Sequence, residues 1–396
     1  MKLFKLSTAV LTTALITSLV GCSKNRTAEG LMDTPQAHFD QGKKYWDKGE
    51  NDRAQEEFKL ALSLDKKFAP GHAGMALVTA TKATLEKDED KREDLFEKSE
   101  DFADEALDLD NKSPYGHIAM GIRYQYELTD SKDEDWYEKP EEYFEDAIEV
   151  APKMAEPQYR LGVLYKSALK FGKAEKAFRK VLDMNELYTV EANDQWELVQ
   201  KINRAAPGTK VGRRIALVDE ITKADVAALF ISELELDRIL EKRVDKVYDN
   251  TFEAPKDERE MQTETTTKIA DILDIDKHWA KNFILDLHNL GVRGLTAGPD
   301  HKFYPAEKIT RSAYSMFIEA ILVSVNNEPE LATKHLGNEA SRFKDVPLGT
   351  PYYNAICNMA DMGIMKSNLQ GEIQPMAKVS GADALLIIRR IKELRK

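Results

Sequence analysis

The sequence predicts an all-α protein in two parts, and two recurring patterns support that prediction. Between Thr34 and Asn185, small and aromatic residues return at the spacing of paired antiparallel helices. After residue 190, a helix-start pattern occurs three times. Its clearest copy is followed by apolar residues at the i, i+3, i+4, i+7 spacing of one buried helical face. A targeting segment precedes both parts.

The first 21 residues have the organisation of a signal segment. Lys2 and Lys5 supply positive charge, residues 6–20 form an apolar-leaning stretch, and Cys22 follows directly after the segment. An apolar span of about 15 residues is too short for a transmembrane helix and suits a signal-peptide core.

The stretch Leu19–Cys22, LVGC, resembles the lipobox of bacterial lipoproteins. The resemblance implies removal of residues 1–21, acylation of Cys22 and a linker over residues 22–33. Several acyl chains anchor a protein stably where a single chain is marginal. Ser23, in place of the aspartate that retains family members at the inner membrane, favours the outer membrane in a cell that has one. The alternative is an ordinary secretory signal with a chance cysteine.

The cysteine content and the charge distribution argue against a disulfide-stabilised fold and against a nucleic-acid-binding protein. With Cys22 acylated, Cys357 has no disulfide partner, and its apolar helical surroundings predict a small core residue. The net charge is −13 over residues 31–205 and −2 over residues 206–396. Regions of such different charge are expected to have different partners, and neither has the basic face that nucleic acid requires.

In the first part, small and aromatic residues share one set of spacings at both ends. They are Gly42, Tyr45, Gly49, Ala54, Phe58 and Ala61 in the first copy, and Gly162, Tyr165, Ala174, Phe178 and Val181 in the last. Small residues let two helices approach closely, and the aromatic rings fill the gap between them. The pattern resembles the tetratricopeptide repeat, a helix–turn–helix unit of 34 residues. Weaker copies begin at Gly74 and Gly121.

The resemblance places four repeats at residues 34–188, which is enough to bury a continuous core. Charged insertions at 85–94 and 129–140 are expected to be surface loops or helix extensions rather than calcium loops. The array is expected either to bind a protein partner or to act as a rigid spacer. Four tyrosines are expected in the core rather than along a binding groove: Tyr115, Tyr124, Tyr126 and Tyr159.

The helix-start pattern of the second part is clearest in KITRSAY. Thr310 is placed as the N-cap, with Ile309 and Tyr314 as a hydrophobic staple. In the copies EITKADV and KVSGADA, Thr222 and Ser380 hold the cap position. The pattern therefore predicts three helices that begin in the same way.

Upstream of these starts, the second and third copies share a helix, a glycine turn, an extended loop and a proline. Apolar residues recur at matching offsets from Trp279 and from Pro351. Segments 274–314 and 343–383 resemble S-layer homology modules, and a first copy rests mainly on the ITKAD stretch. The resemblance implies three modules in a pseudo-threefold, mostly helical body that binds cell-wall polymers, often anionic glycans, between modules.

The expected fold class is therefore all-α, with a tetratricopeptide-type array followed by this pseudo-threefold body. The modules are expected at residues 189–240, 268–324 and 343–396. Residues 241–267 are expected to be a polar insertion between the first two modules, and residues 325–342 are expected to be a linker.

The same resemblance supplies candidate ligand contacts. In the family, the arginine of the I-T-R-A-E motif contacts ligand, and it corresponds to Arg311 here. Lys223 holds the matching place in the first copy, whereas Gly381 in the third departs from the pattern.

Three further residues complete the glycan- or anion-binding candidates. They are Thr310, Thr222 and Trp279. Trp279 is expected in the core of its module more than as a stacking platform for sugar.

Arg311 also stands out for a physical reason. It occupies the first helical position, where the positive end of the helix dipole disfavours a cation. An anion held by the guanidinium and the first N–H groups of the helix offsets that cost. The alternative is an ordinary surface arginine.

The sequence offers no motif for metal binding or catalysis. The seven histidines lack metal-ligand spacing, and phosphate-loop, nucleophile-elbow and dinucleotide fingerprints are missing. Close carboxylate pairs fall in charge runs that are typical of solvated faces. We therefore expect no metal, no cofactor and no enzymatic activity.

The expected function is that of an envelope lipoprotein that tethers a membrane to cell-wall polymer. Cys22 would hold the membrane and the C-terminal modules the wall, with the repeats as spacer or docking platform. The alternative is an adaptor or assembly factor whose acidic repeats bind another envelope protein, with the C-terminal region structural only. An enzyme acting on wall glycan would need a carboxylate pair in a cleft.

Overall fold

The computed structural model describes residues 26–30, 33–240, 272–326 and 328–394. Cys22, the signal segment and the polar insertion at 241–267 lie outside these residues. The chain divides into two compact units, one up to Pro157 and one from Gln158 onward. The described secondary structure is helical apart from two isolated bridges, which confirms the all-α prediction. None of the described helices is long and apolar enough to cross a membrane.

Seven helices begin in the described part of the first unit, and most of them are joined by short turns. They are α1 Pro35–Asp47, α2 Asn51–Leu64, α3 Ala69–Leu85, α4 Glu89–Leu109, α5 Pro114–Leu128, α6 Glu138–Val150 and α7 Ala155–Ser167. Thr34 caps α1, because its hydroxyl accepts a bond of 3.1 Å from the N–H of Ala37, and Pro35 follows at the first helical position.

The core of this unit explains the glycine–aromatic pattern. Phe58 of α2 is fully buried between Gly42 of α1 and Gly74 of α3. A Cβ on either glycine would lie 2.5 or 2.4 Å from the ring, so the ring occupies the space that a side chain would need. Phe144 of α6 meets Gly121 of α5 in the same way, at 2.6 Å.

The two charged insertions take different forms. Residues 86–88 are a short turn, and α4 begins at Glu89, so most of the first insertion extends a helix of 21 residues. The second insertion is a loop until α6 begins at Glu138.

Helix α1 also contacts helices far along the first unit. The ring of Phe39 packs edge-on against Tyr115 of α5, with ring centroids 4.7 Å apart. Lys43 forms a buried ion pair with Glu156 at the start of α7. These contacts of α1 with Tyr115 and Glu156 are therefore made by side chains of the first unit itself. Tyr115 is half-buried in that contact.

The second unit completes the last repeat and adds the C-terminal body. Its helices are α8 Phe171–Met184, α9 Thr189–Ala205, α10 Lys210–Ile215, α11 Lys223–Ser232, α12 Leu236–Ile239, α13 Lys281–Asn289, α14 Arg311–Asn326, α15 Tyr353–Asp361 and α16 Gly381–Leu394, with a 3-10 helix at Pro329–Ala332. Cys357 of α15 is fully buried, as its apolar surroundings predict.

Helix α9 joins the last repeat to the C-terminal body within this unit. On one side Asn203 donates a bond of 2.6 Å to Glu175 of α8. On the other, Lys201 forms an ion pair of 3.0 Å with Asp383 of α16. Because α9 packs against both α8 and α16, no flexible linker separates the last repeat from the body.

Candidate functional site

Three extended residues, one before each capped helix, form a closed ring of backbone hydrogen bonds. Ile221 donates to the carbonyl of Val379 at 2.9 Å, and Val379 donates to Ile309 at 3.1 Å. Ile309 completes the ring by donating to Ile221 at 3.0 Å. Each copy is thus donor to one neighbour and acceptor from the other, which is the arrangement of a pseudo-threefold axis.

The caps sit directly outside this ring. Thr222, Thr310 and Ser380 each accept a bond of 3.2 Å from the N–H three residues later. The staple residues Ile309 and Tyr314 are buried, so the helix start forms as its sequence predicts.

The first N–H group of each helix reaches the next copy. Lys223 donates to Glu307 at 2.8 Å and Arg311 to Ala377 at 2.9 Å. Ser312, second in its helix, donates to Pro375 at 2.9 Å. The expectation that these N–H groups help to hold an anion is therefore wrong, because carbonyl oxygens of the neighbouring copy already accept from them.

The side chain of Arg311 takes part in the same contact. Its Nε donates to the carbonyl of Ile373 at 2.8 Å, and Nη2 to that of Lys366 at 3.4 Å. Carbonyl oxygens are partial negative charges, so they offset the unfavourable place of this cation on the helix dipole. A guanidinium has five N–H donors, and it can hold these two bonds while turning others outward.

Lys223 is buried at the matching place in the first copy. Its Nζ lies 4.5 Å from the ring centre of Phe303, which corresponds to Ile373 in the next copy. Burial lowers the pKa of the Lys223 ammonium, while the charges of Glu307 and Asp274 act in the opposite direction. Lys223 therefore packs as part of the interface between copies.

Gly381 occupies the third matching place for a steric reason. Its N–H donates to Val218 at 2.8 Å, as in the other copies. A Cβ on this glycine would lie 1.7 Å from the carbonyl oxygen of Ile215, at the end of α10. The backbone of the first copy fills this position, so neither arginine nor lysine fits there.

Trp279 is not a core residue. It lies before α13 with 57% of its surface exposed, so the expectation of a core position is wrong. Within the described residues, its ring makes an edge contact with Phe283 and a tilted contact with His278. An exposed tryptophan ring is able to stack on a sugar ring.

Sequence reasoning missed the residues that hold the extended loops. Asp274 accepts bonds from the N–H groups of Phe303 and Tyr304, at 2.8 and 2.7 Å. Asp345 accepts from Ile373 and Gln374 in the same way, at 3.0 and 2.6 Å. The aspartates of DID and FKDVP, 29 residues before Phe303 and 28 residues before Ile373, were the available signal.

Two exposed lysines beside the caps were also missed. Lys308 pairs with Thr222, and Lys378 with Thr310, in isolated antiparallel bridges. The Nζ of Lys308 donates to the backbone carbonyl of Glu220 at 2.7 Å, and the Nζ of Lys378 donates to the backbone carbonyl of Lys308 at 3.3 Å. Each of these two ammonium groups thus bonds to the backbone of another copy.

A cavity of about 310 Å³ opens in the third copy, close to the carbonyl that Arg311 binds. Two cations, a hydroxyl and an aromatic ring are among its lining residues: Arg342, Lys366, Ser367 and Phe343. Arg342 also pairs with Asp361, whose pKa falls to about 2, chiefly through its hydrogen bond from Lys334. Across the described ranges, no cluster of three or more His, Cys, Asp or Glu residues is placed to hold a metal ion.

Comparison with known families separates the two parts of the chain. The model of the tetratricopeptide repeat matches residues 35–68 and 155–186, and that of the S-layer homology domain matches residues 342–385. The chain carries tetratricopeptide repeats and an S-layer homology domain.

The S-layer homology match covers the third copy, although the second copy keeps the arginine of the motif. Among solved structures, a thermophilic tetratricopeptide-repeat protein of Thermus thermophilus matches 42% of this chain and 81% of its own. It is 14% identical with a TM-score of 0.36, too low a similarity to support an argument. A search of curated proteins gives no match.

Tetratricopeptide repeats and S-layer homology domains are non-catalytic binding modules. Their combination indicates an envelope protein that binds cell-wall polymer and protein partners. The S-layer homology domain also implies an association with the cell envelope or surface.

Proposed function

We propose that the protein is a non-enzymatic lipoprotein that tethers a membrane to cell-wall polymer. The observation that carries the proposal is the S-layer homology domain at 342–385, closed into a ring with two further copies of its helix start. The membrane end rests on LVGC and acylation of Cys22, in the outer membrane of a cell that has one. The repeats act as spacer or docking platform.

For the wall-polymer site we propose the surface where Arg311 meets the third copy. The guanidinium lies beside the cavity lined by Arg342 and Lys366, and an acidic sugar is the ligand class that suits several cations around a small cavity. The proposed site also includes three residues at the helix starts, which are proposed to hold these starts in place beside it: Lys223, Thr222 and Thr310.

Trp279 is the candidate stacking platform, because its ring is exposed. It is proposed to add apolar contact with a sugar ring rather than charge. Its contribution is therefore expected to be less sensitive to salt than that of Arg311.

The test is co-sedimentation of the full chain with purified cell walls. We expect Arg311→Gln to weaken binding about tenfold, since one charge-assisted contact contributes about 1.5 kcal/mol or more. Arg53→Gln makes the same charge change on the first repeat, where Arg53 pairs with Glu50, and is the matched control. Arg311 also holds the loop at Ile373, so thermal unfolding of both variants is recorded and binding is assayed below both transitions. Equal binding by the two variants would contradict the assignment.

The membrane end is tested separately. Cys22→Ala is expected to release the protein from membranes, and mass spectrometry of the wild-type N-terminus is expected to show acyl chains on Cys22. A wild-type protein that fractionates with membranes without acyl chains would contradict the anchor and leave the wall-binding assignment standing.

The adaptor function is favoured by a different observation. The buried Lys223 and the occupied N–H groups show the helix starts holding the copies to one another, as a purely structural body requires. Cross-linked protein partners recovered equally with wild type and Arg311→Gln, with no wall binding by either, would favour the adaptor. Wall binding that is lost only in Arg311→Gln favours the tether.

A further inference from the structure

The described residues nearest to Cys22 lie against the first repeat. The N–H of Arg26 donates to the carbonyl of Ser63 at 2.6 Å, and its Nε donates to the Ser63 hydroxyl at 3.3 Å. Ser63 is in the last turn of α2, where the helix dipole favours a cation. Arg26 is therefore fixed at the end of a helix by backbone and side chain together.

Asp33 connects this contact to α1. Its carboxylate accepts a bond of 2.6 Å from Nη2 of Arg26 and another of 2.6 Å from the N–H of Glu29. The same carboxylate then reaches His38, one turn into α1, at 2.8 Å.

His38 lies between two carboxylates. Its Nε2 meets Asp33, and its Nδ1 meets Glu57 of α2 at 2.6 Å. Ionised carboxylates only accept hydrogen bonds, so both ring nitrogens must carry hydrogen. The geometry therefore requires the imidazolium form, in a side chain that is 19% exposed. We call Arg26, Asp33, His38 and Glu57 the N-terminal latch.

The charges around the ring give the latch a pH dependence. Burial lowers the pKa of His38, but hydrogen bonds and charges of Glu57 and Asp33 raise it, and the net shift from 6.5 is upward. Arg26 and Glu29 face Asp33 rather than the ring. The pKa of Asp33 is about 2, mainly through the N–H of Glu29 and then His38, so Asp33 stays ionised near neutral pH.

The sign follows from the raised pKa of His38. A histidine whose pKa is higher when folded stabilises the folded contact fully below its ordinary pKa of about 6.5. That stabilisation is lost as the pH rises through the raised pKa. Above it, a ring nitrogen without hydrogen faces a carboxylate, and the contact becomes repulsive.

We propose that the N-terminal latch sets the reach of the lipid anchor. Closed, it leaves four Cα–Cα steps from Cys22 to the fixed point at Arg26, at most about 14 Å. Open, it leaves thirteen Cα–Cα steps from Cys22 to Pro35, at most about 45 Å. Deprotonation of His38 opens it. The reach depends on the proposed acylation of Cys22, whereas the latch itself does not.

The test is amide hydrogen exchange of the peptide from Arg26 to Asp33, followed by mass spectrometry of the full chain between pH 6 and 9. Rates are corrected for intrinsic exchange. We expect protection at pH 6 and exchange at least tenfold faster at pH 9. His38→Gln is expected to remove the protection at every pH.

Two further variants keep the result interpretable. His72→Gln is the matched control, since the His72 ring meets the backbone carbonyl of Lys66 instead of carboxylates. Asp33→Asn opens the latch from outside the helices, so its effect does not depend on how the first repeat tolerates a change at position 38. It too is expected to remove the protection.

Protection that is independent of pH in the wild type, or unchanged in both His38→Gln and Asp33→Asn, would overturn the latch. Mass spectrometry of the N-terminus separately reports acylation of Cys22. A working latch without acyl chains would refute the tether function, and acyl chains without a working latch would refute the latch alone.

Discussion

The two units connect their repeated parts in different ways. In the first, an aromatic ring enters the space left by glycines, as Phe58 does between Gly42 and Gly74. In the second, the backbone of each copy bonds to the next until the ring closes through Val379 and Ile221. In the stacked repeats, each pair of neighbouring helices is held by its own side-chain contacts. In the ring of three copies, each backbone hydrogen bond depends on the position of the other two.

That difference determines which residue types fit at the contact positions of each unit. In the stack, the space for Phe58 demands small residues on two neighbouring helices. In the ring of three copies, the neighbouring copy determines which residue fits after each cap. Arg311 bonds to backbone carbonyls, Lys223 packs on the aromatic ring of Phe303, and Gly381 lies against the backbone at Ile215.

The largest expected effect is at a joint of the stack. Phe58→Ala removes a fully buried ring that two helices pack against, and we expect it to lower the free energy of unfolding by about 4 kcal/mol. Leu60→Ala on the same helix is the control, because Leu60 is exposed. Urea unfolding followed by circular dichroism measures both. Similar losses in the free energy of unfolding for the two variants would show that the packing of these helices does not depend on the Phe58 side chain.

A smaller but still large effect is expected where the ring closes. Gly381→Ala sets a Cβ against the backbone at Ile215, which cannot move aside as a side chain can, and should cost about 3 kcal/mol. Gly172→Ala on α8 is the matched control, since no atom lies within 4 Å of its added Cβ and alanine favours helix. The comparison of stack and ring fails if both glycine variants shift the unfolding midpoint alike.

The smallest expected effect is on the melting temperature, and it compares the matching loops of the second and third copies. His301 has φ 58° in the second copy, where the third copy has Gly371 with φ 80°. A non-glycine residue in this left-handed region costs about 1 kcal/mol, so His301→Gly is expected to raise the melting temperature by a few degrees at most. The reverse change, Gly371→His, should lower it by a similar amount. Opposite signs in a thermal scan support the equivalence of the two loops, and equal signs contradict it.

What the sequence predicted correctly is local. The cap at Thr310 and the staple of Ile309 with Tyr314 need only neighbours along one helix, and both are present. The spacing of Gly42 and Phe58 likewise reports contacts within a helix pair.

What the sequence could not predict depends on distant partners. The acceptor of the Arg311 N–H is Ala377, 66 positions further along, and no periodicity in either segment points to that pairing. Trp279 was misplaced because it continues an apolar pattern but precedes the helix start, where its side chain is left outside. The domain boundary expected after residue 188 stays a prediction, and it falls between α8 and α9, two helices that pack together.

That packing has a mechanical consequence. Pulled from both ends, a protein with a linker first straightens the linker and only then loads its folded parts. Here a pull on α16 reaches α9 through the ion pair of Lys201 with Asp383, and then α8 through the hydrogen bond of Asn203 to Glu175. Because these contacts connect the helices directly, they would carry force from the start of the pull, with no linker to extend first.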